Sequence, residues 1–424
     1  MPITLGIRSL YVSVGILLAG NGLQNIFLTV YAKQNGFPLP MIGLMGSTYF
    51  LGFIIGCLVG PKYLNSVGHI RTFSALAAIA GIIALLHSLI IEPITWVILK
   101  GLTGFCFATL YLVIESWINS ITKNNTRGLV IAKYRMADVL GTLAGQFLFL
   151  FVDQLGAQLF IIYAILIMLS MVPISLTKVY TPTLLEFNPI SLKKCFKNTW
   201  QNAPVSILGV LLSGFANGSF WALSPIFVME QFDNVKVLPF VIVTFLLGGA
   251  LVQYPIGSFS DRVDRRKVIM AMGLMGVAAS TLITVITVQA GTPGPLFWVG
   301  ILAYGAGSAP IYSLSMAHAN DWTEENSMVS LSSLLLVSSS MGSVLGPIFA
   351  SSFIEIFTTS HFFLFCSSAH LLLFFLCIWR IGFFEAIPIG RKNPYVYLPR
   401  TTPMIAKVAQ RLREKIKVPK PPIK

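Results

Sequence analysis

Opposite charges are grouped between two apolar segments in the stretch from Gly257 to Lys267, which we name the latch segment. An acid placed beside several arginines can pair with them and with the positive N-terminus of a nearby helix. Such pairs would latch one of two conformations, whereas the alternative is a set of solvated charges that only orients the chain. We favour the latch, and its candidate residues are Gly257, Asp261, Arg262, Arg265 and Arg266.

A second acid and arginine lie at the ends of neighbouring apolar segments. Glu115 closes one segment and Arg127 opens the next. We treat both as gate or scaffold candidates, because a solvated pair at such an edge contributes only about 0–1 kcal/mol.

A few charges lie inside apolar segments, where each costs about 2.5–3.5 kcal/mol, so they are functional candidates by default. Lys100 and Asp138 are the clearest of them. Lys100 could bind an anionic group or take part in proton coupling, because a buried lysine can lose its proton; the alternative is that it reaches to the membrane surface. Asp138 shares a helix face with Gly141 and Gly145, and Arg135, one turn away, is its expected partner. A proton carrier and a structural ion pair both stay open for Asp138.

The sequence contains no pattern for metal, cofactor or covalent catalysis. His87, His361 and His370 stand without a second ligand at metal spacing, and the five cysteines include no CxxC pair. There is no GxSxG, Walker or GxGxxG motif, and no motif that reads nucleic acid. We therefore expect no metal, no cofactor and no nucleic-acid partner, and neither an enzyme nor an ATP-driven pump.

The elements that hold these residues are expected to be transmembrane helices. Hydrophobic residues make up 55% of the 424 residues and charged residues only 10%, whereas soluble domains carry roughly 25% charged residues. The apolar stretches are continuous and do not alternate as barrel strands would. The predicted fold class is an all-α membrane protein with twelve helices, at 9–32, 41–60, 72–91, 94–118, 129–152, 157–177, 204–229, 237–259, 268–289, 295–318, 328–354 and 361–384.

Basic residues are biased to one side of this topology. All lysines and arginines except Lys33, Lys100 and Lys236 fall on the side that carries both termini. The positive-inside rule places that side in the cytoplasm, so the net charge of +14 reflects orientation and lipid contact. The basic stretch 404–418 is expected to form either a helix on anionic lipid or a disordered tail.

The chain matches itself at two close shifts, which indicates an internal repeat of six spans. A shift over six spans keeps the membrane orientation, so the halves form a parallel repeat with a central cleft. Matching pairs are Asn21 with Asn217 and Gly52 with Gly248 at a shift of 196, and Gly104 with Gly305 and Gly141 with Gly342 at a shift of 201.

The repeat divides the chain into two pseudo-symmetric six-helix bundles and two connecting or terminal parts. We predict a first bundle at 1–178, a central cytoplasmic loop at 179–203, a second bundle at 204–388 and a basic cytoplasmic tail at 389–424.

The latch segment resembles the GxxxDRxGRR loop of the major facilitator superfamily, and the twelve spans, the repeat and the long middle loop resemble that superfamily along nearly the whole chain. Short motifs that end at Trp117, Arg71 and Asp321 (Glu-Ser-Trp, Gly-His-Ile-Arg and His-Ala-Asn-Asp) resemble its YcaD-like branch.

The sequence departs from the family pattern in two places. Asp264 stands in the latch segment where glycine is usual. The equivalent loop of the first half departs further, because Pro61 and Asn65 stand where its glycine and aspartate would fall. The charged loop of the family pattern is therefore largely kept in the second half, as the latch segment, and is not kept in the first half.

The resemblance implies a secondary transporter in an inner or plasma membrane that moves a small solute by alternating access. Protons are a candidate coupling ion, the lipid bilayer surrounds the protein, and we expect a monomer. The alternative function is a non-transporting membrane receptor or scaffold that keeps the fold.

The resemblance places spans one, four, seven and ten at the cleft. Candidate cleft residues, for which interhelical hydrogen bonding is the alternative, are Asn21, Gln24, Asn25, Tyr111, Asn217, Trp221, Tyr304 and Tyr312.

Overall fold

The computed structural model describes residues 2–122, 127–151, 156–176, 192–232, 234–289, 293–323, 328–388, 390, 392, 393 and 395, and most of them are helical. Helices α1 to α7 lie at Pro2–Gln34, Leu39–Val67, His69–Leu89, Pro93–Ile121, Arg127–Leu148, Gln158–Leu169 and Met171–Ser175. Helices α8 to α15 lie at Leu192–Asn202, Pro204–Phe232, Leu238–Arg262, Arg265–Gln289, Pro295–Ser308, Pro310–Asp321, Met328–Ile356 and Phe362–Phe383. Short 3₁₀ turns lie at Phe149–Phe151, Val235–Val237 and Thr359–His361.

Each predicted span is occupied by helix, and ten helical segments of the described chain are long and apolar enough to cross a membrane. The two predicted spans outside this group have identifiable features. Helix α5 carries Lys133, Arg135 and Asp138, and these charges make it less apolar than the ten helices that are apolar enough to cross a membrane. The tenth span was predicted as one helix but is divided at Ala309, because Pro310 has no N–H to continue the hydrogen-bond ladder.

Helix ends follow from local chemistry. Gly68 separates α2 from α3 with φ +86°, a left-handed conformation that glycine adopts without strain. Glu92 caps α4, since its side chain accepts hydrogen bonds from the backbone N–H groups of Ile94 at 3.0 Å and Thr95 at 2.6 Å. Pro93 then occupies the first helical position, where a missing N–H costs nothing.

The chain forms two compact units. Unit 1 contains residues 1–186, 218–240 and 347–359, and unit 2 contains residues 187–217, 241–346 and 360–424. The division cuts through α9, α10 and α14. Unit 1 therefore holds the first six predicted spans together with segments of the second half, and the four-part division made from the sequence stays a prediction.

Unit 1 contains close helix crossings at glycine. A Cβ atom at Gly141 would lie 2.4 Å from the carbonyl oxygen of Gly15, so α5 and α1 meet backbone to backbone. A Cβ atom at Gly104 would lie 1.9 Å from the carbonyl oxygen of Tyr49, which brings α4 equally close to α2. Small residues at crossings are what permit such packing in a membrane.

Unit 2 repeats both crossings. A Cβ atom at Gly342 would lie 1.9 Å from the carbonyl oxygen of Leu211, and one at Gly305 would lie 2.0 Å from that of Phe245. Glycines and contacted residues are related by the shifts found in the sequence, which supports the internal repeat. The corresponding pairs are Gly15 with Leu211 and Tyr49 with Phe245 at 196, and Gly104 with Gly305 and Gly141 with Gly342 at 201.

Candidate functional site

A polar cluster lies where α1, α2 and α4 meet in unit 1. Lys100 is only 5% exposed, and its Nζ donates a hydrogen bond to Oδ1 of Asn25 at 3.3 Å. The same ammonium lies 5.5 Å from the centre of the Tyr49 ring. Asn25 in turn donates to Oδ1 of Asn21 at 3.4 Å. Lys100 is therefore held inside the protein, and the alternative that its side chain reaches to the membrane surface is wrong for this conformation.

Two glutamines of α1 and α5 carry buried polar atoms that have no hydrogen-bond partner in the described chain. Gln24 is fully buried, and both its Oε1 and its Nε2 are unpaired; Oε1 of Gln146 is unpaired as well. Gln24 lies three residues after Asn21 on α1, so these two side chains are neighbours on the helix surface. Buried polar side chains are normally bonded, so these atoms mark places where water or a ligand group can bind.

Asp138 pairs with Arg135, the partner predicted from their spacing on α5. Nη1 of Arg135 donates to Oδ2 of Asp138, and Asp138 is 8% exposed. Nearby in unit 1, the hydroxyl of Tyr134 donates to Oε1 of Glu115 at 3.4 Å, and Glu115 is buried. Arg127 begins α5, but its side chain lies outside the described residues, so its pairing with Glu115 stays a prediction.

The latch segment joins α10 to α11 and is organised around Arg265, which is 1% exposed. The guanidinium of Arg265 lies 2.9 Å from Oδ1 of Asp261 and 2.7 Å from Oδ2 of Asp321, at the end of α13. It also donates to Oγ of Ser260 at 2.7 Å. Two carboxylates are thus directed at one buried charge, as such a charge requires. Arg262, by contrast, is exposed.

Asp264, the residue that departs from the family loop, has two local roles. Its Oδ1 accepts a hydrogen bond from the backbone N–H of Arg266 at 3.0 Å and so caps α11, and its Oδ2 lies 2.8 Å from Nη2 of the same arginine. Burial alone would raise the pKa of Asp264, but the hydrogen bonds and charge of Arg266 outweigh it, so the pKa is lowered. Arg266 also donates to the carbonyl oxygens of Arg380 and Phe384 at 3.0 and 2.9 Å.

After α15 the chain returns to the latch segment through Lys392, Asn393 and Tyr395, which we name the C-terminal strap. The backbone N–H of Tyr395 donates to both carboxylate oxygens of Asp261, at 3.1 and 3.0 Å. The backbone N–H of Asn393 donates to Oδ1 of Asp321 at 2.9 Å. The two carboxylates that bind Arg265 therefore also hold the strap.

The ring of Tyr395 lies against Gly257, the first residue of the latch segment. A Cβ atom at Gly257 would lie 2.1 Å from Cε1 of this ring, so only glycine leaves room for it. The Tyr395 hydroxyl accepts a hydrogen bond from Nε2 of Gln253 at 2.5 Å and donates one to Oγ of Ser313 at 2.9 Å. Sequence reasoning identified Gly257 but missed Tyr395 and Asp321, although Asp321 closes a motif that it quoted.

Candidate cleft residues of the second half make packing contacts within unit 2. Nδ2 of Asn217 donates to Oγ of Ser308 at 3.1 Å, an interhelical bond from α9 to α12. Tyr304 is fully buried, and its ring lies 5.3 Å from that of Phe363. Tyr312 belongs to an apolar core cluster. These three side chains are therefore positioned as interior residues in this conformation, whereas Tyr111 and Trp221, in unit 1, are partly exposed.

An ion pair joins distant parts of the chain at the end of unit 1 that lies away from the basic loops. Nζ of Lys33 lies 2.6 Å from Oε1 of Glu230, and the hydroxyl of Thr359 donates to the other oxygen at 2.5 Å. Helix α2 approaches α14 closely here, since a Cβ atom at Gly43 would lie 2.6 Å from the carbonyl oxygen of Pro347. The ends of α1 and α9 are thus joined by charge, and α2 and α14 by close packing.

Comparison with known proteins gives a consistent family. The family model of the Major Facilitator Superfamily matches residues 10–233 and 206–412. The uncharacterized MFS-type transporter YcaD of Salmonella enteritidis PT4 is 23% identical over 363 residues, which cover 84% of this chain and 91% of the relative. YcaD of Salmonella typhi matches with the same identity and coverage.

Solved structures share the fold at low sequence identity. The nucleoside transporter NupG has a TM-score of 0.74 and 14% identity, over 90% of this chain and 100% of its own. A bacterial homologue of the human lysosomal transporter Spinster, in an inward-facing conformation, has a TM-score of 0.65 and 13% identity, over 97% of each chain. With the family match along most of its length, this chain belongs to the Major Facilitator Superfamily and is a multi-pass membrane secondary transporter that resembles YcaD, not an enzyme.

Proposed function

We propose that the protein moves a small solute across the inner membrane by alternating access, as a monomer in the bilayer with both termini in the cytoplasm. The observation that carries this proposal is the buried polar cluster of Lys100, Asn25 and Asn21 in unit 1. A charge at this depth is costly, so it is retained where a solute or ion uses it. No observation favours a receptor or scaffold over a transporter.

Asp138 and Lys100 are the candidate coupling residues. Asp138 could carry a proton if it alternates between an ion pair with Arg135 and a protonated form that releases this arginine. The competing role is a permanent ion pair that only stabilises α5. In the first case Asp138→Asn, which resembles the protonated form, abolishes uptake driven by a pH gradient but keeps exchange of solute across the membrane.

Proteoliposomes separate these roles for Asp138. Uptake driven by an inward proton gradient and solute exchange without a gradient would be measured for the parent and for Asp138→Asn. We expect gradient-driven uptake to disappear and exchange to continue in the variant. Equal loss of both activities would instead assign Asp138 to structure.

The latch segment is proposed to control the cytoplasmic side together with the C-terminal strap. Asp261 and Asp321 bind Arg265 and backbone N–H groups of the strap at once, so a change of conformation on this side would exchange these partners. In the first half, where the equivalent of the latch segment is incomplete, Glu115 and Arg127 are the candidates for controlling the cytoplasmic edge.

On the outer side the ion pair of Lys33 and Glu230 would open when the cytoplasmic side closes.

Uptake by reconstituted protein tests the proposed function. A thermal-shift screen of metabolites at several pH values would first identify stabilising solutes, because a ligand that binds the folded state raises its stability. We then expect gradient-dependent flux of at least one stabilising solute. Binding without flux would favour the receptor alternative.

A further inference from the structure

Lys100 has no carboxylate partner in the described chain. Its contacts are the amide oxygen of Asn25 and the ring of Tyr49. Only two of the 15 acidic residues, Glu115 and Asp138, lie inside predicted spans. Asp138 is paired with Arg135, and Glu115 lies on α4 about 22 Å from Lys100 at 1.5 Å per residue. The described residues therefore supply no counter-charge at the position of Lys100.

The Lys100 cluster lies well inside the hydrocarbon layer. Lys100, Asn25 and Tyr49 lie seven, nine and ten residues from the ends of α4, α1 and α2 that point away from the basic loops. At 1.5 Å per residue, these separations are about 10–15 Å, between a third and a half of a core that is about 30 Å thick. Lipid headgroups at these helix ends are therefore too distant to pair with the ammonium group.

A buried cation of this kind needs an anion, because an uncompensated charge is strongly unfavourable in an apolar environment. Gln24, three residues after Asn21 on α1, adds a fully buried amide whose two polar atoms are unpaired in the described chain. Its N–H groups can donate to an anionic oxygen, and the hydroxyl of Tyr49 is a further donor within the cluster. The cluster thus offers one positive charge and neutral donors.

We infer that the Lys100 cluster binds the carboxylate of a small organic monoanion, with Lys100 as its counter-charge and Gln24 as a hydrogen-bond donor. This inference rests on the proposed function, since it names the solute class of the same transporter. A single lysine balances one negative charge. Dicarboxylates and phosphate would leave a second charge unpaired in an apolar environment, so the site should discriminate against them.

A matched set of probes tests the charge requirement. Acetate, lactate and benzoate represent monocarboxylates, benzamide is the neutral counterpart of benzoate, and succinate and inorganic phosphate carry more charge. Thermal stabilisation of the purified full-length protein and solute exchange in proteoliposomes would be measured for each. We expect at least one monocarboxylate to stabilise the parent and to exchange, and benzamide, succinate and phosphate to do neither.

Variants at Lys100 test the residue itself. Lys100→Gln removes the charge and should weaken binding of the active monocarboxylate by about 30-fold or more, because a buried charge pair is lost. Lys100→Arg keeps the charge and should retain binding within a few-fold. Gln24→Leu should weaken binding less than Lys100→Gln does. Lys236→Gln, at a lysine of the outer loop, should bind like the parent and controls for net charge.

Two results would overturn the inference. One is equal binding of a monocarboxylate by Lys100→Gln and the parent. The other is exchange of a neutral solute while no carboxylate binds, which would leave the proposed transport intact and remove only the solute class. Absence of exchange for every probe and for every solute of the wider screen would instead count against the proposed function.

Discussion

At the residue scale, the buried charges of the latch segment are stabilised by the polar and charged groups that surround them. Arg265 is the clearest case, because Asp261, Asp321 and Ser260 surround a guanidinium that is 1% exposed. Replacing either carboxylate would leave a buried charge less well compensated, which costs more than the pair itself contributes. Asp264 pairs with Arg266 and not with Arg265, so the contribution of a single carboxylate to stability can be measured there without disturbing Arg265.

Asp264→Asn should lower stability by about 2 kcal/mol at neutral pH, because the amide can still cap α11 but leaves the buried charge of Arg266 without its carboxylate. The pKa of Asp264 is lowered in the folded protein from its ordinary value of 3.8. Its stabilising effect is therefore complete above pH 3.8 and is lost as the pH falls through the lowered pKa. Thermal unfolding of parent and variant should differ at pH 7 and converge in strong acid; a constant difference would contradict the assignment.

At the element scale, local spacing explains which features the sequence predicted. The ion pair of Arg135 and Asp138 followed from a separation of three residues on one helix. The strap could not be predicted from spacing, because Tyr395 and Asp261 are 134 residues apart and the strap carries no hydropathy signal. Helix α8, at Leu192–Asn202, was likewise missed inside the predicted central loop, since hydropathy alone does not detect a short amphipathic helix.

Gly257→Ala should detach the strap from α10. The added methyl group would lie 2.1 Å from the ring of Tyr395, while alanine favours the helix itself. Hydrogen exchange would report the change, because the backbone N–H groups of Asn393 and Tyr395 are hydrogen-bonded in the parent. We expect these N–H groups to exchange at least about tenfold faster in the variant.

The control for this substitution is Gly294→Ala. A Cβ atom at Gly294 would meet no atom within 4 Å, so the strap should keep its protection in that variant. Unchanged exchange in Gly257→Ala would show that Gly257 is not needed for the strap to dock.

At the scale of the whole molecule, the repeat organises both units. The glycines that matched in sequence make equivalent crossings, Gly104 against Tyr49 in unit 1 and Gly305 against Phe245 in unit 2. Equivalent positions nevertheless differ in chemistry, because at the shift of 201 Lys100 corresponds to Ile301, so this buried charge is confined to the first half. The repeat therefore accounts for the fold, whereas function depends on the residues that each half carries.

The measurement that tests the central claim most directly is transport with the ion pair of Lys33 and Glu230 cross-linked. Lys33→Cys and Glu230→Cys would be combined in a variant whose five native cysteines are serine, and a short thiosulfonate cross-linker would join the two thiols. Alternating access requires this side to open, so uptake in proteoliposomes should fall by at least about tenfold and return when a reductant cleaves the link. Either single-cysteine variant, treated in the same way, should keep its uptake. Full uptake by completely cross-linked protein would contradict the account.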